Sequence, residues 1–293
     1  MGGINTPSVK KVDAPSIQTQ TARRMKAVHR VLNPVDSSQT LKRVCALAVM
    51  TKAPRAGKVK TRLTPPLTPE EAAALNICFL RDTTAAIAAI AAGGRARGIA
   101  VYTPVGAEEA YNGILPEDFD LVPQRGEAFG DRLTSATEDL LRLGFESLCL
   151  IDSDSPTVPP AAFAEAVEIL AQPEDAVVLG PSDDGGYYLI GLKKLHRPLF
   201  SGINWSTEHV LEETVQRARQ LNLKVHFLPT WYDVDDQATL AQLCRELFDH
   251  GSSHAGYEAP ATRGYLDGLL TKEGRERIWP ELNKEALGAR AAK

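Results

Sequence analysis

Between Val44 and Phe248 the chain alternates two hydrophobic patterns. The run Val44-Cys45-Ala46-Leu47-Ala48-Val49-Met50 is continuously apolar, which marks a strand covered on both faces, the habit of parallel sheets. After a polar loop, Thr68-Pro69-Glu70-Glu71 forms a capping box with proline at the first helical position, and it predicts an Ala-rich helix running to about Ala92, where Gly93-Gly94 stops it. The alternation continues. Strands are expected at 98–102, 121–122, 147–151, 176–179, 187–192 and 225–228, and helices at 131–143, 160–171, 208–221 and 237–248. Strands alternating with helices imply an α/β fold, a three-layer, mostly parallel sheet. The strand from Tyr187 comes after its predecessor through a short Gly-rich link, so it is expected to run antiparallel.

The flanks read differently. Residues 1–41 are rich in Ser, Thr, Gln, Lys and Arg and carry no sustained hydrophobic period, which predicts a disordered basic extension. An Arg-rich, acid-poor targeting segment and a true start at Met25 are the other readings of it. Residues 42–249 form the expected α/β domain. Residues 250–293 begin with the polar Gly251-Ser252-Ser253-His254 and contain an amphipathic stretch, Leu266 to Leu282, broken by Pro280; they are expected to be a partly helical C-terminal extension.

Composition narrows the partners. The chain has 293 residues with a formal net charge of −4, so nucleic acid is not an expected partner and phosphate binding must come from a local basic cluster. Cys45, Cys78, Cys149 and Cys244 show no CxxC pairing and no His at zinc-ligand spacing, and are expected to be buried, reduced thiols of a cytoplasmic protein. No apolar stretch approaching ~20 residues is evident, so no transmembrane segment is expected.

In open α/β sheets, ligands bind beyond the carboxyl ends of the strands, so the chemistry is sought in the loop after each strand. After the first comes Lys52-Ala53-Pro54-Arg55-Ala56-Gly57-Lys58-Val59-Lys60-Thr61-Arg62, with five cations in eleven positions. Such a loop can wrap a di- or triphosphate, lysine giving point charge and arginine paired donors. It satisfies neither GxxxxGK[ST] nor GxGxxG. After the 147–151 strand, Asp152 and Asp154 stand at i and i+2, a spacing that suits a divalent cation. After the 176–179 strand, Asp183-Asp184-Gly185-Gly186 couples two acids, able to accept sugar hydroxyls, to two glycines that permit close backbone approach. After the 225–228 strand, Asp233-Val234-Asp235-Asp236 is a second acidic cluster, which can share a metal with the first or cap the next helix.

From Val44 to about Cys244 these segments, together with Gln124-Arg125-Gly126, Phe129-Gly130-Asp131-Arg132-Leu133, Asp154-Ser155-Pro156, Asp184-Gly185-Gly186-Tyr187-Tyr188 and Asn204-Trp205-Ser206-Thr207, resemble the DUF2064 group, glycosyltransferase-like and CofC-like transferases of the nucleotide-diphospho-sugar transferase superfamily. The resemblance implies a GT-A, Rossmann-like fold. It implies that Lys52, Arg55, Gly57, Lys58 and Arg62 surround the nucleotide phosphates, that Gln124, Gly130 and Arg132 shape the nucleotide pocket, and that Asp154 is the main ligand of Mg2+ or Mn2+. Position 152, usually a small residue in that group, is Asp152 here.

Two reactions share such a fold. In glycosyl transfer an acceptor hydroxyl attacks the sugar of a nucleotide sugar. In guanylyltransferase-like nucleotidyl transfer, a nucleoside triphosphate is attacked at its α-phosphorus and pyrophosphate leaves. Glycosyl transfer to a small-molecule acceptor is the leading expectation, with a non-catalytic nucleotide-binding module as a third reading. Asp154, Asp184 and Asp235 are the expected catalytic residues, and Asp154, Asp152 and Asp235 the expected metal ligands. Gly185, Gly186 and Trp205 complete the site; Asp183, Asp184 and Trp205 are expected on its sugar or acceptor side. His209, one turn into the helix, is expected to be a surface or capping residue.

Overall fold

The computed structural model describes residues 1–2, 29–35, 44–249 and 256–279. A seven-stranded sheet is formed by β1 (Cys45–Lys52), β2 (Ala96–Thr103), β3 (Asp120–Pro123), β4 (Ser147–Ile151), β5 (Ala176–Pro181), β6 (Tyr187–Leu192) and β7 (Lys224–Phe227). Their spatial order is β3-β2-β1-β4-β6-β5-β7. All pairings are parallel except those of β6, which runs antiparallel to both β4 and β5, as its short link predicts.

Strand β1 shows why the run from Val44 is continuously apolar. Successive side chains point to opposite faces. Cys45, Leu47 and Val49 pack into one core with helices α1 (Pro69–Ala91) and α3 (Pro160–Leu170), while Ala46 and Ala48 pack into the other with α2 (Phe129–Arg142) and α4 (Val210–Gln220). With both faces covered, every β1 position is buried except half-buried Met50, which lines a cleft, and the exposed terminal Lys52. Helix α1 begins on the predicted box: the Thr68 hydroxyl accepts from the Glu71 N–H (3.2 Å), and the Glu71 carboxylate accepts from the Thr68 N–H (2.8 Å). At 23 residues, α1 is long and apolar enough to cross a membrane, contrary to the sequence expectation, yet 61% of that window is buried within the fold. All four cysteines are buried free thiols.

A third core lies at one end of the sheet. Helices α5 (Gln237–Phe248), α6 (Pro260–Glu273) and α7 (Arg275–Ile278) pack Leu240, Leu243, Leu266, Ile278 and Trp279 against Phe79 of α1 and against Leu63, Leu67, Tyr232 and Val234 from loops. The C-terminal stretch is tied down by more than apolar contact. Both Asp82 carboxylate oxygens accept from the first turn of α6, at Ala261 N (2.9 Å) and Thr262 N (2.7 Å), and Arg277 pairs with Glu71. This core therefore buttresses two loops at the carboxyl edge of the sheet.

Residues 29–35, assigned by the sequence to a disordered extension, are ordered against β3. Leu32 N donates to Leu121 O (2.8 Å) and Leu121 N to Arg30 O (2.9 Å), Arg30 pairs with Asp120 at 3.1 Å, and Leu32 is 2% exposed. An edge strand presents unpaired N–H and C=O groups, and this short segment satisfies those of Leu121 in β3; too short to show a hydrophobic period, it left no pattern to read. The rest of the 1–41 extension apart from residues 1–2, and residues 250–255 and 280–293 of the C-terminal extension, lie outside the described residues.

Candidate active site

The chain builds outward from β1 to β2 and β3, then returns to lay β4 on the other side of β1. That reversal is a topological switch point, where open α/β sheets place their ligands. Because β6 runs backwards, the turn before it joins the carboxyl edge too. The loops after β1, β4, β5 and β7 consequently meet along one edge.

They meet around Lys60. Its ammonium lies 2.8 Å from Asp154 Oδ1 and 2.9 Å from Asp235 Oδ1, and donates to the Val234 carbonyl at 2.8 Å. Its side chain is 4% exposed and the ammonium stands 5.5 Å from the centre of the Phe79 ring. Burial works to lower its pKa, but the adjacent Asp154 and Asp235 carboxylates outweigh that and raise it. Lys60 therefore stays charged. Its backbone is left-handed, φ 48° and ψ 40°, a strained region for a residue with a Cβ. The two acidic loops are also stitched directly, Val234 N donating to Asp154 O at 2.9 Å. The N-cap role at α5 goes to Asp236, which accepts from Ala238 N and Thr239 N, both at 2.9 Å. Asp235 is thus left for the site.

Two clefts flank this cluster. The narrower, of about 220 Å³, is lined by Lys52, Lys58, Lys60 and Arg62 with Asn76. The wider, of about 500 Å³, is lined by Asp184, Gly186, Asp233, Ser206, Thr207 and Glu208, and by the aromatic pair Phe129 and Trp205, whose rings meet edge to face at 5.0 Å. Arg62, Ser153, Asp154 and Asp235 line both. Asp233 is pushed up to about 7, by burial first and then by the charges of Asp235 and Asp184. The wide cleft therefore holds an acid that its burial and two neighbouring carboxylates make reluctant to ionise.

The predicted residues are sorted by this geometry. Lys52, Lys58 and Arg62 face the narrow cleft, whereas Arg55 and Gly57 form the exposed tip of a turn closed by Lys58 N to Arg55 O at 2.9 Å and line neither cleft. Asp154 and Asp235 converge. Asp152 lines the wide cleft but is spent on its own loop: one oxygen accepts from Asp154 N (3.3 Å) and the other from the Ser155 hydroxyl (2.7 Å), and burial, then the charge of Asp154, pushes its pKa well up. Among the described residues, no three His, Cys, Asp or Glu side chains are gathered as a metal centre. Of the predicted trio, Asp152 caps its own turn, while Asp154 and Asp235 converge on the Lys60 ammonium. That pair fits a cation: its two carboxylates already converge on one positive charge.

Gln124 donates its amide to the Thr51 (3.1 Å) and Val101 (2.8 Å) carbonyls and braces the ends of β1 and β2. Arg132 spends its guanidinium on the Gly126 and Glu127 carbonyls. Neither lines a cleft. Gly130 has a steric reason: a Cβ there would lie 2.8 Å from Trp205 Nε1 and 2.7 Å from Phe200 O, so only glycine lets Trp205 swing onto the wide cleft. Gly185 has φ +91°, and a Cβ would lie 2.1 Å from Glu208 O; this is a close approach of two loops. Asp184 faces the wide cleft while its Oδ1 accepts from Gly186 N (2.8 Å); Asp183 lines neither cleft. His209 is an exposed residue at the start of α4. Lys60, Asp233 and Phe129 were not singled out from the sequence. Nothing in the loop distinguishes Lys60 from Lys58; the difference is burial.

Residues 86–207 match the family described as "Uncharacterized protein conserved in bacteria (DUF2064)". No curated protein matches the chain. Among solved structures, the chain is similar to a candidate nucleotide-diphospho-sugar transferase from Desulfovibrio desulfuricans G20, with 28% identity over 79% of this chain and 96% of that one and a TM-score of 0.68. A looser likeness extends to CMP:2-keto-3-deoxy-manno-octonic acid synthetase complexed with CTP (11% identity, 68% and 96% of the chains, TM-score 0.45). A similar likeness is found for Rv0371c from Mycobacterium tuberculosis H37Rv in complex with manganese (17%, 69% and 98%, TM-score 0.42). Residues 86–207 thus match the DUF2064 family, and the seven-stranded α/β sheet is shared with the Desulfovibrio desulfuricans candidate nucleotide-diphospho-sugar transferase.

Proposed function

We propose that this chain is a metal-dependent transferase that moves a sugar from a nucleotide sugar to a small-molecule acceptor. The observation that carries the reading is the pair of joined clefts: a narrow one walled by lysine and arginine, and a wide one walled by acids and aromatic rings, sharing Arg62, Asp154 and Asp235. The description of the Desulfovibrio desulfuricans protein supports it.

In this reading the diphosphate lies against Lys52, Lys58 and Arg62, whose fixed charges stabilise the departing nucleoside diphosphate. Catalysis of this kind works through charges held in place before the reaction, so little reorganisation is needed. The sugar and acceptor occupy the wide cleft. Trp205 and Phe129 offer apolar ring faces, and Asp184 and Asp233 accept hydroxyl hydrogens. The acceptor oxygen bonds to the anomeric carbon, the bond from that carbon to the diphosphate oxygen breaks, and the hydroxyl proton passes to a cleft carboxylate, Asp184 being the one assigned to it. Mg2+ or Mn2+, held by Asp154 and Asp235, would supply further neutralisation of phosphate charge.

A second reading, nucleotidyl transfer with loss of pyrophosphate, is favoured by the density of cations in the narrow cleft: Lys52, Lys58, Lys60 and Arg62 are gathered in about 220 Å³. The two are separated by incubating the chain and Mg2+ or Mn2+ with a panel of nucleotide sugars and nucleoside triphosphates and a range of hydroxylated and phosphorylated acceptors. Release of nucleoside diphosphate supports glycosyl transfer, and release of pyrophosphate the second reading. Nucleotide binding without any product across the panel would refute both in favour of a binding module.

A further inference from the structure

The carboxylates assigned to the metal already hold a cation of the chain's own. Lys60 Nζ is within 2.9 Å of both Asp154 and Asp235, and its remaining contacts are the Val234 carbonyl and the Phe79 ring. The burial is asymmetric. The lysine side chain is 4% exposed, whereas those of Asp154 and Asp235 are 35% and 41% exposed. The ammonium thus backs the pair from inside the protein while the carboxylates face the clefts. Lys60 is also held in a left-handed conformation, and strain of that kind persists only where surrounding structure enforces it. The buried ammonium and strained backbone together point to a positioned charge rather than a solvated loop lysine.

We infer that Lys60 is a positioning residue that acts as the resident counter-ion of Asp154 and Asp235, and that it keeps a divalent cation off this pair until phosphate is present. This rests on the transferase reading of the site. A dication bound to the same two carboxylates would stand against a buried ammonium, and like charges in a poorly solvated place repel strongly. Without phosphate the lysine has no better partner. A di- or triphosphate in the narrow cleft, which Lys60 also lines, offers the ammonium an alternative anion and adds ligands for the metal. Metal and nucleotide therefore bind together, with Lys60 linking the two events.

The test is Mn2+ binding to the nucleotide-free chain, measured by electron paramagnetic resonance and calorimetry. The expected result is weak uptake by the wild type, in the millimolar range, and at least about tenfold tighter uptake by Lys60→Met. Lys60→Arg, which keeps the charge, should not gain affinity. A folded Lys60→Met chain that binds Mn2+ no more tightly than the wild type overturns the inference. Should that variant fail to fold, the wild type alone decides: one equivalent of Mn2+ taken up at micromolar concentration, and lost in Asp154→Asn, overturns it, while its absence upholds it. The transferase reading fails separately. If Lys60→Met gains Mn2+ affinity but no nucleotide binds or turns over in the wild type, the counter-ion role stands and the assignment of the clefts to a nucleotide does not.

Discussion

The narrow and wide clefts share a wall and differ in almost everything else. In the narrow cleft the key charge is paired and buried: Lys60 is locked between Asp154 and Asp235. In the wide cleft Asp233 is driven up to about 7, by burial first and then by the charges of Asp235 and Asp184. Its shape is set instead by rings, Trp205 against Phe129, and by glycines that make room for them. A phosphate presents the same charge whatever group it carries, so fixed cations suffice to bind it. Sugars and acceptors differ in shape and hydroxyl pattern, so the face that meets them must be built from surfaces and hydrogen-bond acceptors.

Substitutions can break this division. The largest effect is expected from Asp154→Asn, which alters the shared wall. Turnover should fall on the order of 100- to 1000-fold with a small change in melting temperature, because Lys60 keeps Asp235 and the Val234 carbonyl; initial rates and a thermal melt measure the two. Next, Arg62→Ala should weaken nucleotide binding about 10- to 100-fold, since a charge-assisted hydrogen bond contributes roughly 1.5–3 kcal/mol. Arg55→Ala, at the exposed tip of the same loop, should change it less than about threefold. Equal losses in the two, by calorimetry, would mean that the whole loop closes on the ligand and that the narrow cleft is wrongly bounded.

On the other side, Trp205→Ala should lower kcat/KM for the acceptor about tenfold, aromatic contacts contributing about 0.5–1.5 kcal/mol beyond buried area, while nucleoside diphosphate affinity stays within about twofold. Abolished nucleotide binding in a folded Trp205→Ala chain would reverse the assignment of the clefts. The smallest effect on the site is expected from Leu32→Ala at the β3 edge. It should cost about 2 kcal/mol of stability, seen as a lower melting temperature, and leave both nucleotide affinity and turnover unchanged.

Much of this architecture can be read from the sequence. The two-faced burial of β1, the Thr68 box, the antiparallel β6 and the placement of every acidic or basic loop after a strand come from hydrophobic period and turn chemistry, which act over a few residues. Lys52, Lys58, Arg62, Asp154, Asp184, Asp235, Gly186 and Trp205 were all singled out that way or by resemblance, and each lines a cleft.

What the sequence could not decide depends on contacts across long separations. Asp152 and Asp154 look alike as letters, yet one caps its own turn and the other meets Lys60. Asp235 and Asp236 look alike, yet only one caps α5. Lys58 and Lys60 differ because the chain enters a left-handed conformation at Lys60 and turns that ammonium inward against Val234 and Asp235, 174 and 175 positions away. The ordering of residues 29–35 likewise depends on an open edge at β3. Local pattern determined the elements, their order and the edge that carries the chemistry. Which identical side chain is buried, paired or free was decided only when the third core pressed the loop after β7 onto the loops after β1 and β4, because the energy of a charge depends on its burial and its neighbours, and neither is a local property of the chain.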